Sequence, residues 1–269
     1  MIKIGLDGAL IGGVTGISSG VPATGTAEDA RYNHLPARRR REPTGDSAVT
    51  SLIIFDCDGV LVDSEPISIR CTAAALTVAG YPIDPAGVLE RFLGISTAAM
   101  VATVEQETGR SMPPGFVGNL RHTILTAFER ELRPMDGIAD LLDRLDRPAC
   151  VASSSVPERI RLSLRVAGLL ERLEPDIFSA TMVRRGKPAP DLFLLAAERM
   201  GVPPSSCIVI EDSAAGVRAG RAAGMTVFGF VGGSHLSPAV ARPGLLAEGA
   251  HRVFDRMADL NEYLHAAAT

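Results

Sequence analysis

Four apolar residues, Leu52-Ile53-Ile54-Phe55, run into Asp56-Cys57-Asp58-Gly59 and then Val60-Leu61-Val62-Asp63-Ser64. No other stretch limits so sharply what the chain can fold into. A short unbroken apolar run reads as a strand buried on both faces, the habit of a parallel sheet covered by helices. Two carboxylates one residue apart close it, and the glycine that follows lets the backbone turn sharply. In open parallel sheets, ligands sit in the crevice beyond the carboxyl ends of the strands. Paired acids there repel each other, so they suit a cation, a proton shuttle, or both. Capping of the next helix by one acid is the plainer alternative.

From Ser51 onward the pattern alternates. Strands are expected at Leu52–Phe55, Ala149–Ala152, Cys207–Ile210 and Thr226–Phe230, with weaker ones near Ile177–Ser179 and Arg252–Phe254. Helical stretches at Glu158–Leu170, Asp191–Met200, Ala214–Ala223 and near Leu260–Leu264 fall between or after them. Alternating strands and helices imply right-handed crossovers, hence an α/β, Rossmann-like parallel sheet with helices on both faces. Residues 65–133 break the alternation with helical stretches near Pro66–Ala79, Pro85–Phe92, Thr97–Thr108 and Pro114–Leu132, punctuated by Gly80-Tyr81-Pro82 and Met112-Pro113-Pro114-Gly115. They read as a separate small helical lid inserted after the first strand, leaving 49–64 and 134–269 as the core. Residues 1–48, rich in Gly, Thr, Ser and Ala before an arginine run, are expected to be a poorly ordered extension.

Composition excludes more than it identifies. The chain of 269 residues has 46% hydrophobic and 22% charged residues and a net charge of −4, as an ordinary globular protein would. Its one dense basic run, Arg38–Arg41, lies outside the expected fold, so nothing favours nucleic acid. No apolar run is long enough to span a bilayer, and the first residues lack a convincing signal-peptide pattern. Cys57, Cys71, Cys150 and Cys207 form no C-x-x-C pair. Buried free thiols in a reducing compartment, the cytoplasm, are expected, with the protein a monomer or homodimer.

Three further strand ends carry chemistry. In Cys150-Val151-Ala152-Ser153-Ser154-Ser155-Val156-Pro157-Glu158, Ser155 and Glu158 have capping-box spacing. Ser153 is left over, on the side of the sheet where Asp56 emerges. A hydroxyl with free backbone N–H groups at a helix start makes a phosphate site. In Arg184-Arg185-Gly186-Lys187-Pro188-Ala189-Pro190-Asp191, a lone lysine would ordinarily be a solvated charge, yet Lys187 is held between glycine and proline at a helix start. In Ile208-Val209-Ile210-Glu211-Asp212-Ser213-Ala214-Ala215-Gly216, paired acids again end an apolar strand. A hard cation such as Mg²⁺ takes oxygen ligands and keeps several waters. Asp56, Asp212 and the backbone carbonyl of Asp58 could supply them, with Glu211 acting through water; capping by Asp212 could coexist with this. His235 reads as a solvated loop residue, and Arg184 and Arg185 receive no role.

Asp-x-Asp-Gly-Val, then Ser, then Lys-Pro-x-Pro, then Glu-Asp-Ser-x-x-Gly, each in its place at a strand end or helix start, resembles the haloacid dehalogenase superfamily in its phosphatase branch. The resemblance covers residues 51–265 and implies a helical cap at 65–133. It implies that Asp56 is the nucleophile and Asp58 the general acid and base. It further implies that Ser153 and the Ser154 N–H hold the transferring phosphoryl group, that Lys187 pairs with Asp56 and phosphate, and that Mg²⁺ is the cofactor. The expected substrate is a small phosphorylated metabolite, a sugar or polyol phosphate. A sugar phosphomutase of the β-phosphoglucomutase type is the alternative, because it shares these motifs. That subgroup places a gating histidine where Ser68 stands and a phosphate-gripping arginine where Thr97 stands, and neither neutral side chain can replace a cationic clamp. A dehalogenase would lack the second aspartate and the metal site. An idle binding module is disfavoured because every motif residue is present.

Overall fold

A computed structural model of the protein describes residues 52–266. The expected extension at 1–48 and the first residues of the core lie outside them. The sheet is parallel and six-stranded, in the order β3 (Ile177–Ser179), β2 (Ala149–Ser153), β1 (Leu52–Phe55), β4 (Cys207–Glu211), β5 (Thr226–Phe230), β6 (Arg252–Phe254). β1 lies between β2 and β4, pairing Phe55 with Val151 on one side and Ile210 on the other. Strand order therefore reverses at β1, which puts Asp56 and Asp58 at the switch point where such sheets bind ligands.

All four residues of β1 are fully buried, because each face of the strand has its own apolar layer. Ile53 and Phe55 join a cluster with Val151, Ile210 and Phe230; Leu52 and Ile54 join Cys150, Val209 and Val227 on the other face. Alternating side chains of one short strand thus hold both layers. All four cysteines are free and buried, and no single helix among the described residues is long and apolar enough to cross a membrane.

Of the helices between β1 and β2, four form one block: α1 (Glu65–Val78), α2 (Pro85–Phe92), α3 (Thr97–Thr108) and α4 (Phe116–Glu131). Their buried faces, including Leu76, Phe92, Val104, Leu120 and Phe128, merge with the layer under Phe55. The two connections to this block meet where Asp63 N donates to Arg133 O at 3.1 Å and Met135 N to Leu61 O at 2.9 Å.

Two helices were not expected. α5 (Ile138–Arg144) is only seven residues long, and α10 (Pro238–Ala247) carries Pro243 in its interior, which reads as a breaker. The stretch expected as one helix from Glu158 to Leu170 is two, α6 (Pro157–Val166) and α7 (Leu170–Leu173), because Gly168 turns the chain at φ 71° between them. The remaining helices are α8 (Asp191–Met200), α9 (Ala214–Ala222) and α11 (Met257–Ala266). The last is longer than its apolar core had suggested.

Candidate functional site

Asp56 follows β1 directly, and its N–H extends the ladder by donating to Ile210 O at 3.0 Å. Its side chain is 9% exposed. Lys187 Nζ donates to Asp56 Oδ1 at 2.6 Å, to Glu211 Oε1 at 2.6 Å and to Ala152 O at 2.9 Å. One ammonium therefore ties together the carboxyl ends of β1, β2 and β4. It also lies over the Phe193 ring, 4.9 Å from the centroid. Burial alone would lower the Lys187 pKa, but the Asp56 and Glu211 carboxylates outweigh it and keep the lysine charged. Burial pushes Asp56 upward; Lys187 opposes this, and Glu211 and Asp58 add to it.

Between Asp56 and Ser64 the chain forms a tight turn. Leu61 N and Val62 N both donate to Cys57 O, and Gly59 N donates to Val62 O at 2.9 Å. Gly59 sits at φ 81°, and a Cβ there would stand 1.9 Å from Asp212 Oδ2. Glycine is needed on both counts. The turn presents Asp58 to three donors. Ser64 Oγ (2.6 Å) and Arg159 Nη2 (2.9 Å) reach Oδ1, and Ser155 Oγ (2.7 Å) reaches Oδ2. Burial alone would raise the Asp58 pKa, but the Arg159 charge and these hydrogen bonds prevail and hold it below the usual carboxylate range.

Ser153 ends β2, is 1% exposed, and its Oγ accepts from Ser155 N at 3.1 Å. Ser154 is exposed at the approach to α6. The capping box expected of Ser155 and Glu158 does not form. The N-cap of α6 is Val156, with no side-chain bond, while Glu158 is exposed and pairs loosely with Arg121 at 3.6 Å. A buried carboxylate is the stronger acceptor, and Ser155 bonds Asp58 instead. Nor does Asp212 cap α9, because Ser213 Oγ accepts from Gly216 N at 3.0 Å.

Glu211 is 1% exposed and has both oxygens occupied, Oε1 by Lys187 and Oε2 by Ser213 N and Oγ, each at 2.9 Å. The carboxylate braces the lysine and the turn after β4. Asp212, pressed against Gly59, has a pKa driven well upward by burial and by Glu211 and Asp56. Among the described residues no three carboxylate, imidazole or thiolate groups form a preformed ion cage. Mg²⁺ does not require one, since one or two carboxylates with waters suffice. Asp56 and Asp212 are carboxylates that burial and mutual repulsion disfavour as bare anions, so the donor set fits a hard cation.

Nothing in the sequence marks Arg159 or Ser64 as a partner of Asp58. Nothing local separates Arg159 from Arg161 and Arg165 on the same helix; only the turn of α6 aims it at Asp58. Arg185 pairs with Asp191 at 2.7 Å, away from Asp56 and Asp58, and Arg184 is exposed. His235 is partly buried, not a plain solvated residue, and burial lowers its pKa.

A family model for haloacid dehalogenase-like hydrolases matches residues 50–224. The 6-phosphogluconate phosphatase of Escherichia coli (strain K12) is 33% identical over 189 residues, covering 70% of this chain and 86% of that protein. A haloacid dehalogenase-like protein of unknown function from Agrobacterium tumefaciens str. C58 is 39% identical at a TM-score of 0.73, covering 81% of this chain and 99% of that one. A HAD family hydrolase from Deinococcus radiodurans R1, solved with bound phosphate and sodium, is 34% identical at a TM-score of 0.70, covering 82% and 97%. With its strand-end aspartates and buried lysine in the order described, the chain belongs to the haloacid dehalogenase-like hydrolase family, among its phosphatases.

Proposed function

We propose that the chain is a Mg²⁺-dependent phosphatase that hydrolyses a small phosphorylated metabolite, a sugar or polyol phosphate, through an aspartyl-phosphate on Asp56. The observation that carries this reading is the contact of 2.6 Å between Lys187 Nζ and Asp56 Oδ1. A buried carboxylate neutralised by a fixed ammonium can receive a phosphate dianion that bare acids would repel. The activity of the Escherichia coli relative and the phosphate bound in the Deinococcus structure support the same choice.

Asp56 attacks phosphorus in line, and the bond to the leaving oxygen breaks. The leaving alcohol takes a proton from Asp58, whose neutral form the arriving phosphate dianion favours against the pull of Arg159. Asp58 then takes a proton from water as that water attacks phosphorus, which frees inorganic phosphate and restores Asp56. The Ser153 hydroxyl and the Ser154 N–H hold phosphate oxygens, and Lys187 offsets their charge. Glu211 keeps Lys187 in place. Asp56, Asp212 and the backbone carbonyl of Asp58 would hold Mg²⁺, which when bound supplies positive charge against the phosphate. The helices α1–α4 serve as a cap over substrate, and the buried thiols suit the cytoplasm.

A screen of purified protein against phosphorylated sugars, polyols and sugar acids tests this reading. With Mg²⁺ present, at least one ester releases inorganic phosphate; excess chelator stops release and added Mg²⁺ restores it. Full turnover in excess chelator rejects the metal, and no release from any ester rejects the phosphatase.

A further inference from the structure

The two oxygens of Asp58 have chemically different partners. Oδ1 receives Arg159 Nη2 at 2.9 Å and Ser64 Oγ at 2.6 Å, whereas Oδ2 receives only Ser155 Oγ at 2.7 Å. A guanidinium can donate but never accept, while a serine hydroxyl does either. A proton on Oδ1 would crowd the Arg159 guanidinium, which has no lone pair to offer, and would be met only if Ser64 turned from donor to acceptor. A proton on Oδ2 meets a hydroxyl that can rotate and accept it. We propose that Arg159 is a positioning residue that fixes Oδ1 as an acceptor and so makes Oδ2 the oxygen that exchanges the proton. The inference rests on the phosphatase reading, with Asp58 as its acid and base.

Arg159 is itself held from several sides. Its guanidinium lies over the Phe128 ring of α4, 4.8 Å from the centroid, and Nη2 approaches Ser68 Oγ of α1 at 3.5 Å. Its side chain is 22% exposed, and its Nε is buried with no protein acceptor. A core residue on α6 is thus wedged between two inserted helices and one oxygen of Asp58. Stacking on Phe128 restricts the plane of the guanidinium, and the plane aims Nη2.

In the first half-reaction the proton leaves Oδ2 for the leaving oxygen as the phosphorus–oxygen bond breaks. In the second it returns to Oδ2 from the attacking water. Loss of Arg159 leaves Oδ1 with Ser64 alone, a hydroxyl that can accept, so the proton can settle on Oδ1 and the first transfer suffers most when the leaving group needs a proton. Phenyl phosphate and p-nitrophenyl phosphate separate that case from a general loss of structure. The two differ little in shape, but nitrophenolate departs without protonation and phenolate departs poorly without it.

The experiment measures kcat/KM on both esters for the wild type, Arg159→Met and Arg159→Lys, with thermal unfolding of each. For Arg159→Met the fall on phenyl phosphate should exceed the fall on p-nitrophenyl phosphate by about tenfold or more. Arg159→Lys keeps a cation that only donates, and its two falls should agree within about threefold. If Arg159→Met does not fold, Arg159→Gln, which can accept as well as donate, carries the same expectation. Wild-type turnover with equal falls on the two esters overturns this assignment alone, as does a lysine variant as unequal as the methionine one. A wild type that releases phosphate from no ester overturns the phosphatase reading and this assignment with it.

Discussion

Lys187 Nζ lies 2.6 Å from Asp56 Oδ1 although 131 residues separate the two, and both side chains are less than 10% exposed. The same ammonium reaches Glu211 at 2.6 Å, so its removal leaves two buried carboxylates without their cation. Breaking a buried pair by deleting one partner costs about 3–5 kcal/mol, far more than an exposed pair is worth. Lys187→Met is therefore expected to lower unfolding stability by that order and to abolish turnover. Urea denaturation at neutral pH measures the first; a variant as stable as the wild type would show that the carboxylates are not held by Lys187.

Gly59 offers a second test. At φ 81° a side chain costs about 1–2 kcal/mol in backbone strain, and here its Cβ would also displace Asp212 from 1.9 Å. Gly59→Ala is expected to raise the Mg²⁺ concentration that gives half-maximal activity, because Asp212 must move to make room. An unchanged Mg²⁺ requirement would mean that Asp212 contributes no ligand.

Glu65, the first residue of α1, is raised from 4.5 to about 7, first by burial and then by Asp58 and Asp63, with Arg159 opposing. The folded chain keeps this proton after the unfolded chain has given it up. The resulting stability is present in full below pH 4.5 and is lost as pH rises through about 7. Urea midpoints of the metal-free protein should fall across that window, and Glu65→Gln should flatten the fall. Parallel profiles for the two proteins would remove Glu65 as the cause.

What could be read from the sequence was what neighbouring residues encode together. β1 and its aspartates are contiguous, so strand, turn and acids were visible at once. Ser153, Lys187 and Glu211 stand in short strings whose order carries the resemblance. Arg159 was invisible because its partner lies 101 residues away, and only the rotation of α6 selects it over Arg161. Ser155 was misread for the opposite reason: a local capping pattern was plain, while the competing acceptor, Asp58, was distant in sequence. α10 was missed because Pro243 reads as a breaker, yet the helix runs through it to Ala247.

Sugar phosphates should lose phosphate rather than isomerise. Ser68 stands 3.5 Å from Arg159 and Thr97 opens α3 on an exposed surface, and both are neutral. Neither can grip a second phosphate and hold water off a phospho-enzyme. Glucose 1-phosphate primed with a bisphosphate, if accepted, is expected to yield inorganic phosphate faster than glucose 6-phosphate. Faster isomer formation would reassign the chain as a mutase.

Covalent attack by Asp56 is tested most directly by phosphate release from Asp56→Asn, measured on an ester that the wild type hydrolyses. The replacement is isosteric and leaves the fold in place, so circular dichroism should match the wild type. The expected rate is lower by about a thousandfold or more, as for other members of a catalytic unit. Hydrolysis retained above about a tenth of the wild-type rate would contradict Asp56 as the nucleophile.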